Sequence, residues 1–399
     1  MTKVLNFAWP VTAFQYEDYE GLKNCIESNE RLFKEKEIII FGAGIRGSVF
    51  SCLLERAGFL QFCFTDNNPE KWGGYINTHP IIRVDQLINK ISEAVVIISV
   101  ENGGTIKKQL EDIGYRENIN YFYVSANIYD IYLYEFNRKI EEEILFLGDC
   151  GFSQVSIIDN EYNNLASMIK QKLGEENIKI LAMHGMGMRG FYNVFKAQID
   201  LNMVPKTLVL MTNFEVFTRK HHILPRTQHS EIFKRVGKFF TNPDEELVEY
   251  IKLTAERFSK TQLDVFSVAD SQKDENARLV IRMNYMYNIS QETEDVIYLF
   301  KILELARSLS INVLPFIPSA NYMFARTLVG EEFDIKYGEN CKRLKAWIKE
   351  QGFELFDLSY SLTSDCFANG KTIDETSNSK GREIIKNRLI DELKKREYL

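Results

Sequence analysis

The chain has 399 residues, 45% of them hydrophobic and 26% charged, with a formal net charge of −7. That length suits two or three domains with sizeable cores, and the acidic balance provides no basic footprint for nucleic acid. No run reaches the roughly 18 apolar residues of a membrane span, and Met1–Pro10 lacks the basic-then-apolar pattern of a signal peptide, so the expectation is a cytoplasmic protein.

In chain order, residues 1–35 read as a lead-in with one helix around Tyr19–Glu35. A first α/β series follows: strand Glu37–Phe41, a glycine turn, helix Ser48–Ala57, strand Gln61–Asp66, the apolar run Ala94–Val100, helix Thr105–Ile113 and strand Asn120–Val124. Continuous apolar strands alternating with helices predict a parallel sheet covered on both faces. Residues 127–143 read as a helical connector. A second series then restarts with strands Glu143–Leu147, Ile178–Met183, Thr207–Met211, Asn312–Ile317 and Glu354–Leu358. Its helices fall at about Glu161–Leu173, Gly190–Asp200, Thr293–Leu309, Glu331–Gln351 and Lys380–Lys395. Residues 215–290, with Pro225, Pro243 and many charges, read as an inserted lid or small helical cap. The expected fold class is α/β: two Rossmann- or flavodoxin-like parallel-sheet domains in tandem, at 36–126 and 144–399.

Two stretches carry chemistry. The first is Gly42-x-Gly44-x-x-Gly47, which follows a strand and opens a helix, with Asp66 at the end of the next strand. Such a turn lets a phosphate approach the backbone at a helix N-terminus, and the acid then suits a ribose hydroxyl. The bland alternative is that these glycines only pack helix on strand and that the domain serves docking. The run Asp66–Gly74, followed by His79-Pro80-Ile81-Ile82, resembles the small Rossmann-like domains attached to sugar-modifying enzymes and nucleotide-sugar-dependent acyltransferases. The resemblance covers residues 37–124 and implies a nucleotide or nucleotide-sugar ligand rather than a redox cofactor.

The second stretch is Ile144–Gly151, a buried strand that stops on Gly148-Asp149 and presents Cys150. Open α/β sheets place their chemistry at such carboxyl edges. With the glycine-rich segment His184–Gly190, the run Leu208–Glu215 and the stretch Ile373–Glu383, the order of motifs resembles the SGNH hydrolase superfamily, or GDSL-type esterases. That resemblance implies a flavodoxin-like enzyme that cleaves or transfers acyl groups. It implies a nucleophile at Cys150, where the family has serine, and oxyanion donors from the Cys150 amide, Gly190 (Gly187 the alternative) and Asn213. Asp374 fits the family's acid, whereas the family's general-base histidine position is Ser377.

Five histidines, at 79, 184, 221, 222 and 229, are the whole supply of imidazole. Three readings follow. Cys150 could be a nucleophile with a relocated base, from His184 or from His221, His222 and His229; a thiol needs less activation than a hydroxyl. The site could retain only a binding pocket. Or a different chemistry could use Asp149, Asp374 or Arg189. The other five cysteines (Cys25, Cys52, Cys63, Cys341, Cys366) show no CxxC spacing and read as reduced thiols, and the histidines of the insertion read as an exposed basic segment rather than a metal site. The expected partners are an acyl substrate, small or carrier-bound, a biosynthetic enzyme, and a second copy of the chain.

Overall fold

The computed structural model describes residues 13–100, 103–124, 128–139, 144–217, 227–260, 273–368, 370, 371, 373 and 376–399. The chain divides into two compact units, Met1–Asn127 and Ile128–Leu399. Both are mixed α/β.

The first unit opens with a short strand β1 (Ala13–Gln15) and two helices, α1 (Tyr16–Ser28) and α2 (Glu30–Glu35). The single helix expected around Tyr19–Glu35 is therefore broken. Asn29 interrupts it, with φ −132° and its side-chain amide donating to the Cys25 carbonyl at 2.9 Å. An asparagine competes in this way for the backbone groups a helix needs. The sheet order is β4-β5-β3-β2-β6-β7. Its strands are β2 (Glu37–Phe41), β3 (Phe62–Asp66), β4 (Tyr75–Ile76), β5 (His79–Arg83), β6 (Ala94–Ile98) and β7 (Tyr121–Tyr123), with helices α3 (Ile45–Arg56) and α4 (Gly104–Asp112). All neighbours are parallel except the hairpin β4–β5, which the sequence reading did not assign. Ile39, Phe41, Val96 and Ile98 face one core with Ile106 and Leu110 of α4.

In the second unit, among the described residues, a parallel sheet has the order β10-β8-β11-β12-β13. Its strands are β8 (Ile144–Gly148), β10 (Ile178–Ala182), β11 (Thr207–Met211), β12 (Asn312–Ile317) and β13 (Phe356–Asp357), while the short strand β9 (Gln154–Ser156) stands outside it. Numbered within the unit, this is the 2-1-3-4-5 order of flavodoxin-like sheets. Successive strand residues serve opposite faces. Leu145, Leu147, Leu208 and Leu210 pack on one side, whereas Ile144, Phe146, Val209 and Met211 pack on the other. The first side is covered by α5 (Ile128–Asn137), α8 (Met188–Asp200) and α12 (Glu294–Ser308), together with the helical insertion. The second is covered by α7 (Leu165–Leu173) and α15 (Ser379–Lys395). The segment read as a connector thus contributes to this unit's core: Tyr132 and Phe136 of α5 are buried in it.

The insertion contains α9 (Thr227–Gly237), α10 (Glu245–Lys260) and α11 (Lys273–Asn284). Ile232, Phe233, Leu247, Tyr250, Ile281 and Tyr285 join these helices to the main core. After β12 come α13 (Tyr322–Val329) and α14 (Glu332–Glu350). Among the described residues, no helix is long and apolar enough to cross a membrane.

Candidate active site

β8 pairs with β10 on one side and β11 on the other, so the direction of strand addition reverses at β8. A crevice opens at such a reversal, outside the carboxyl ends of the strands. Asp149 and Cys150 follow the end of β8, and Asn213 lies two residues past the end of β11.

The local sequence explains the turn. A Cβ at Gly148 would fall 2.2 Å from the Phe152 ring, so glycine there lets that ring fold back over the strand end. Cys150 begins a one-turn helix, α6 (Cys150–Ser153). Asp149 caps it, its carboxylate accepting from the Gly151 amide at 2.9 Å.

The other carboxylate oxygen of Asp149 accepts from the Asn213 side-chain amide at 2.8 Å. Burial pushes the Asp149 carboxyl up from its ordinary value, while the Gly151 amide, Asn213 and the Cys150 thiol pull it back as hydrogen-bond donors. Asn213 is held in turn: its Oδ1 accepts from the Glu215 amide at 2.8 Å. The amide plane is therefore fixed by both its oxygen and its nitrogen, and one of the two Nδ2 hydrogens is spent on Asp149.

His184 arises on the neighbouring strand. Ala182 pairs in register with Gly148, and the Met183 amide donates to the Gly148 carbonyl at 3.1 Å. Cys150 and His184 each lie two residues beyond that register pair. A tight turn follows, the Met186 amide bonding the Met183 carbonyl at 3.1 Å, with Gly185 at φ +70° in the position that requires glycine. His184, half-buried, occupies the corner of this turn. Its Nδ1 lies 3.1 Å from Gln154 Nε2, and Gln154 Oε1 accepts from the Thr376 hydroxyl at 3.2 Å. The sequence reading singled out neither Gln154 nor Thr376. The available signal was spacing: Gln154 follows Cys150 by one helical turn, and Thr376 adjoins Ser377.

The glycines of the segment between β10 and α8 have packing reasons of their own. A Cβ at Gly190 would lie 2.6 Å from Met186 Cγ and 2.9 Å from the Tyr250 hydroxyl. At Gly187 it would lie 2.6 Å from an Asp295 carboxylate oxygen, which also accepts from the Met188 amide at 2.6 Å. The first turn of α8 is thus already capped by a carboxylate. Arg189 donates to Glu246 at 2.9 Å and to Glu294 at 2.8 Å, with the Tyr298 ring 5.2 Å from its guanidinium carbon. It fastens α10 to α8 and α12.

Ser377 is 2% exposed, its hydroxyl has no hydrogen-bond partner among the described residues, and its Cβ would be 2.7 Å from a Cβ at Gly381. The segment is anchored by Arg382, fully buried, which donates to the Ser377 carbonyl at 2.5 Å, the Asn163 carbonyl at 2.8 Å and Asp159 at 2.5 Å. Asp374, His221 and His222 lie outside the described residues, as does the side chain of His229. His79 belongs to the first unit, stacked on Phe62 at 3.7 Å and hydrogen-bonded to Glu55. Burial pushes the thiols of Cys25, Cys63 and Cys341 up to about 12, which keeps them protonated and inert.

In the first unit the three glycines differ. Gly42 has φ +121°, and a Cβ at Gly47 would fall 2.0 Å from the Gly42 carbonyl oxygen, whereas a Cβ at Gly44 would meet nothing within 4 Å. Asp66 is committed to the turn itself. Its carboxylate accepts from the Ala43 amide at 2.8 Å, the Asn68 amide at 2.9 Å and Lys71 at 3.0 Å. Among the described residues, no group of three or more His, Cys, Asp or Glu side chains could hold a metal ion.

Residues 34–119 match the family model described as C2185-like, N-terminal. That match lies within the first unit. No curated protein matches the chain. Among solved structures, a Bacteroides fragilis NCTC 9343 protein described as a "putative acylhydrolase" is 11% identical with a TM-score of 0.35, covering 67% of this chain and 96% of its own. A likeness of that size says nothing about the reaction here.

Proposed function

We propose that the second unit is an acyl-transfer or acyl-hydrolysing site in which Cys150 is the nucleophile and His184 its base. The observation that supports this most is the register of β8 and β10, which sets Cys150 and His184 two residues past the same strand pair. Adjacent strands lie about 4.8 Å apart, within the reach of two facing side chains. His184 would take the thiol proton, and the thiolate sulfur would bond the acyl carbon. The bond to the leaving group breaks as His184 returns the proton to it. Water or an acceptor hydroxyl or amine then releases the acyl group from the thioester. The remaining Nδ2 hydrogen of Asn213 and the Cys150 amide are the donors for the oxyanion. A thioester intermediate favours transfer over plain hydrolysis, to a sugar, a glycan or a carrier-bound biosynthetic intermediate. In the first unit, the open face of Gly44 supports a nucleotide or nucleotide-sugar ligand.

Intact-mass analysis after incubation with activated acyl esters and thioesters tests the reading. One acyl adduct is expected on the wild-type chain and none on Cys150→Ala. An adduct retained in Cys150→Ala would remove the nucleophile assignment.

A second reading, a catalytically silent protein that binds a nucleotide-sugar or a partner enzyme, is favoured by the closed environment of Ser377. It predicts ligand binding in calorimetry with no adduct on either chain.

A further inference from the structure

The helical insertion reaches the site through the residues that follow α11. The Tyr287 hydroxyl donates to the Phe214 carbonyl at 2.7 Å, and the Tyr285 hydroxyl donates to the Glu215 carboxylate at 3.1 Å. Phe214 and Glu215 open the 3-10 turn Phe214–Phe217, which follows Asn213 directly. The two tyrosines are held in turn from α14. Asn340 there is 1% exposed, and its side-chain amide donates to the Tyr285 carbonyl at 3.1 Å and to the Tyr287 carbonyl.

One peptide group links these tyrosines to the oxyanion donor. The Phe214 carbonyl and the Glu215 amide belong to a single rigid plane. Its carbonyl accepts from Tyr287, and its N–H donates to Asn213 Oδ1 at 2.8 Å. Asn213 Nδ2 then donates to Asp149 at 2.8 Å. A carbonyl oxygen only accepts and a backbone N–H only donates. Every proton in this series therefore points from the insertion toward the strand end that carries Cys150. Hydrogen bonds aligned in one direction polarise one another. The tilt of the Phe214–Glu215 plane sets where Asn213 Oδ1 rests. Because the asparagine amide is itself planar, the same bonds aim both of its Nδ2 hydrogens.

We propose that Tyr287, supported by Tyr285 and Asn340, is a positioning residue for Asn213, so that the helical insertion helps to build the oxyanion site rather than only covering it. This rests on the reading of Cys150 as an acyl nucleophile.

The test uses the full chain, with p-nitrophenyl acetate as the acyl probe and iodoacetamide as the control. With the ester, the Cys150 sulfur bonds the acetyl carbon, negative charge develops on the carbonyl oxygen, and p-nitrophenolate leaves. Alkylation by iodoacetamide develops no oxyanion and needs no such donor. In Tyr287→Phe the saturating rate of p-nitrophenolate release falls roughly tenfold, against roughly a hundredfold for Asn213→Ala. Half-saturation and the alkylation rate of Cys150 stay at their wild-type values. In the Asn213→Ala background, Tyr287→Phe adds no further loss, because its effect runs through the asparagine. A merely structural role would lower acylation and alkylation together and would add its loss in either background. Equal acylation by wild type and Tyr287→Phe, or fully additive losses, would overturn the proposal. A second readout is the 15N signal of the Asn213 side-chain amide, assigned with Asn213→Ala, which shifts in Tyr287→Phe. If the wild-type chain releases no p-nitrophenolate, the acyl reading falls and this signal decides alone: a shift upholds the positioning role, and an unmoved signal removes it too.

Discussion

The side-chain amide of Asn213 donates to the Asp149 carboxylate at 2.8 Å, joining the ends of β8 and β11 at the point where the strand order reverses. The bond does two things at once. It gives a buried carboxylate a further donor besides the Gly151 amide and the Cys150 thiol, and it fixes the plane of the asparagine.

Asn213→Ala is expected to lower stability by about 1–3 kcal/mol, because a buried acceptor loses its partner. It should also depress acyl-adduct formation, through the lost oxyanion donor. Urea midpoints and adduct rates measured on the same variant separate the two effects. A variant as stable as wild type would mean that the Asp149 carboxylate finds a replacement donor.

The buried pair of Arg382 and Asp159 calls for a double-mutant cycle. Arg382→Met removes the counter-charge of buried Asp159, which keeps the Ser156 and Ser379 amides as donors, and should cost about 3–5 kcal/mol. Adding Asp159→Asn should recover part of that loss. Additive losses would show that the guanidinium acts through its two carbonyl contacts rather than through the carboxylate.

Glycine-to-alanine changes in the first unit should split. Gly47→Ala drives a methyl group into the Gly42 carbonyl and should lower the melting temperature of this unit. Gly44→Ala meets open space and should leave the melting temperature unchanged. If the turn receives a phosphate, Gly44→Ala abolishes nucleotide binding in calorimetry without loss of fold. Equal binding by wild type and Gly44→Ala would leave this unit a docking role.

Burial pushes the Glu17 carboxyl up to about 7, and its Oε2 has no hydrogen-bond partner among the described residues. The folded state therefore holds this proton more tightly than the unfolded chain does. The resulting stability is fully present below the ordinary carboxyl range near 4.5 and is lost as pH rises through about 7. Glu17→Gln removes the titration. Urea midpoints at pH 4 and pH 8 should coincide with wild type at the lower pH and exceed it at the higher. A constant difference between the two proteins would assign the titration elsewhere.

Much of the architecture was legible because buried parallel strands announce themselves as apolar runs. Ile144–Gly148, Thr207–Met211 and Asn312–Ile317 are unambiguous in that sense. The β4–β5 hairpin escaped because Tyr75–Ile76 is too short to show alternation. The break at Asn29 escaped because helical periodicity continues across it. At the site, strand ends pointed to Asp149, Cys150 and Asn213. Gln154 and Thr376 stayed hidden because they act together across 222 residues of sequence. Polar side chains of this kind acquire meaning only from what faces them. For the same reason Ser377 could be placed at the base position from its neighbours in sequence, while its closed surroundings could not be foreseen.

Asp159 and Arg382 are 223 residues apart in the chain, yet one guanidinium ties the loop behind Cys150 to the segment holding Thr376 and Ser377. During synthesis, every strand of the second sheet precedes that arginine in the chain. A chain arrested short of Arg382 carries β8, β10, β11 and β12 and lacks the guanidinium that ties these two segments together. The tie between these two segments is therefore made only in the first turn of α15, after every strand of the sheet it borders.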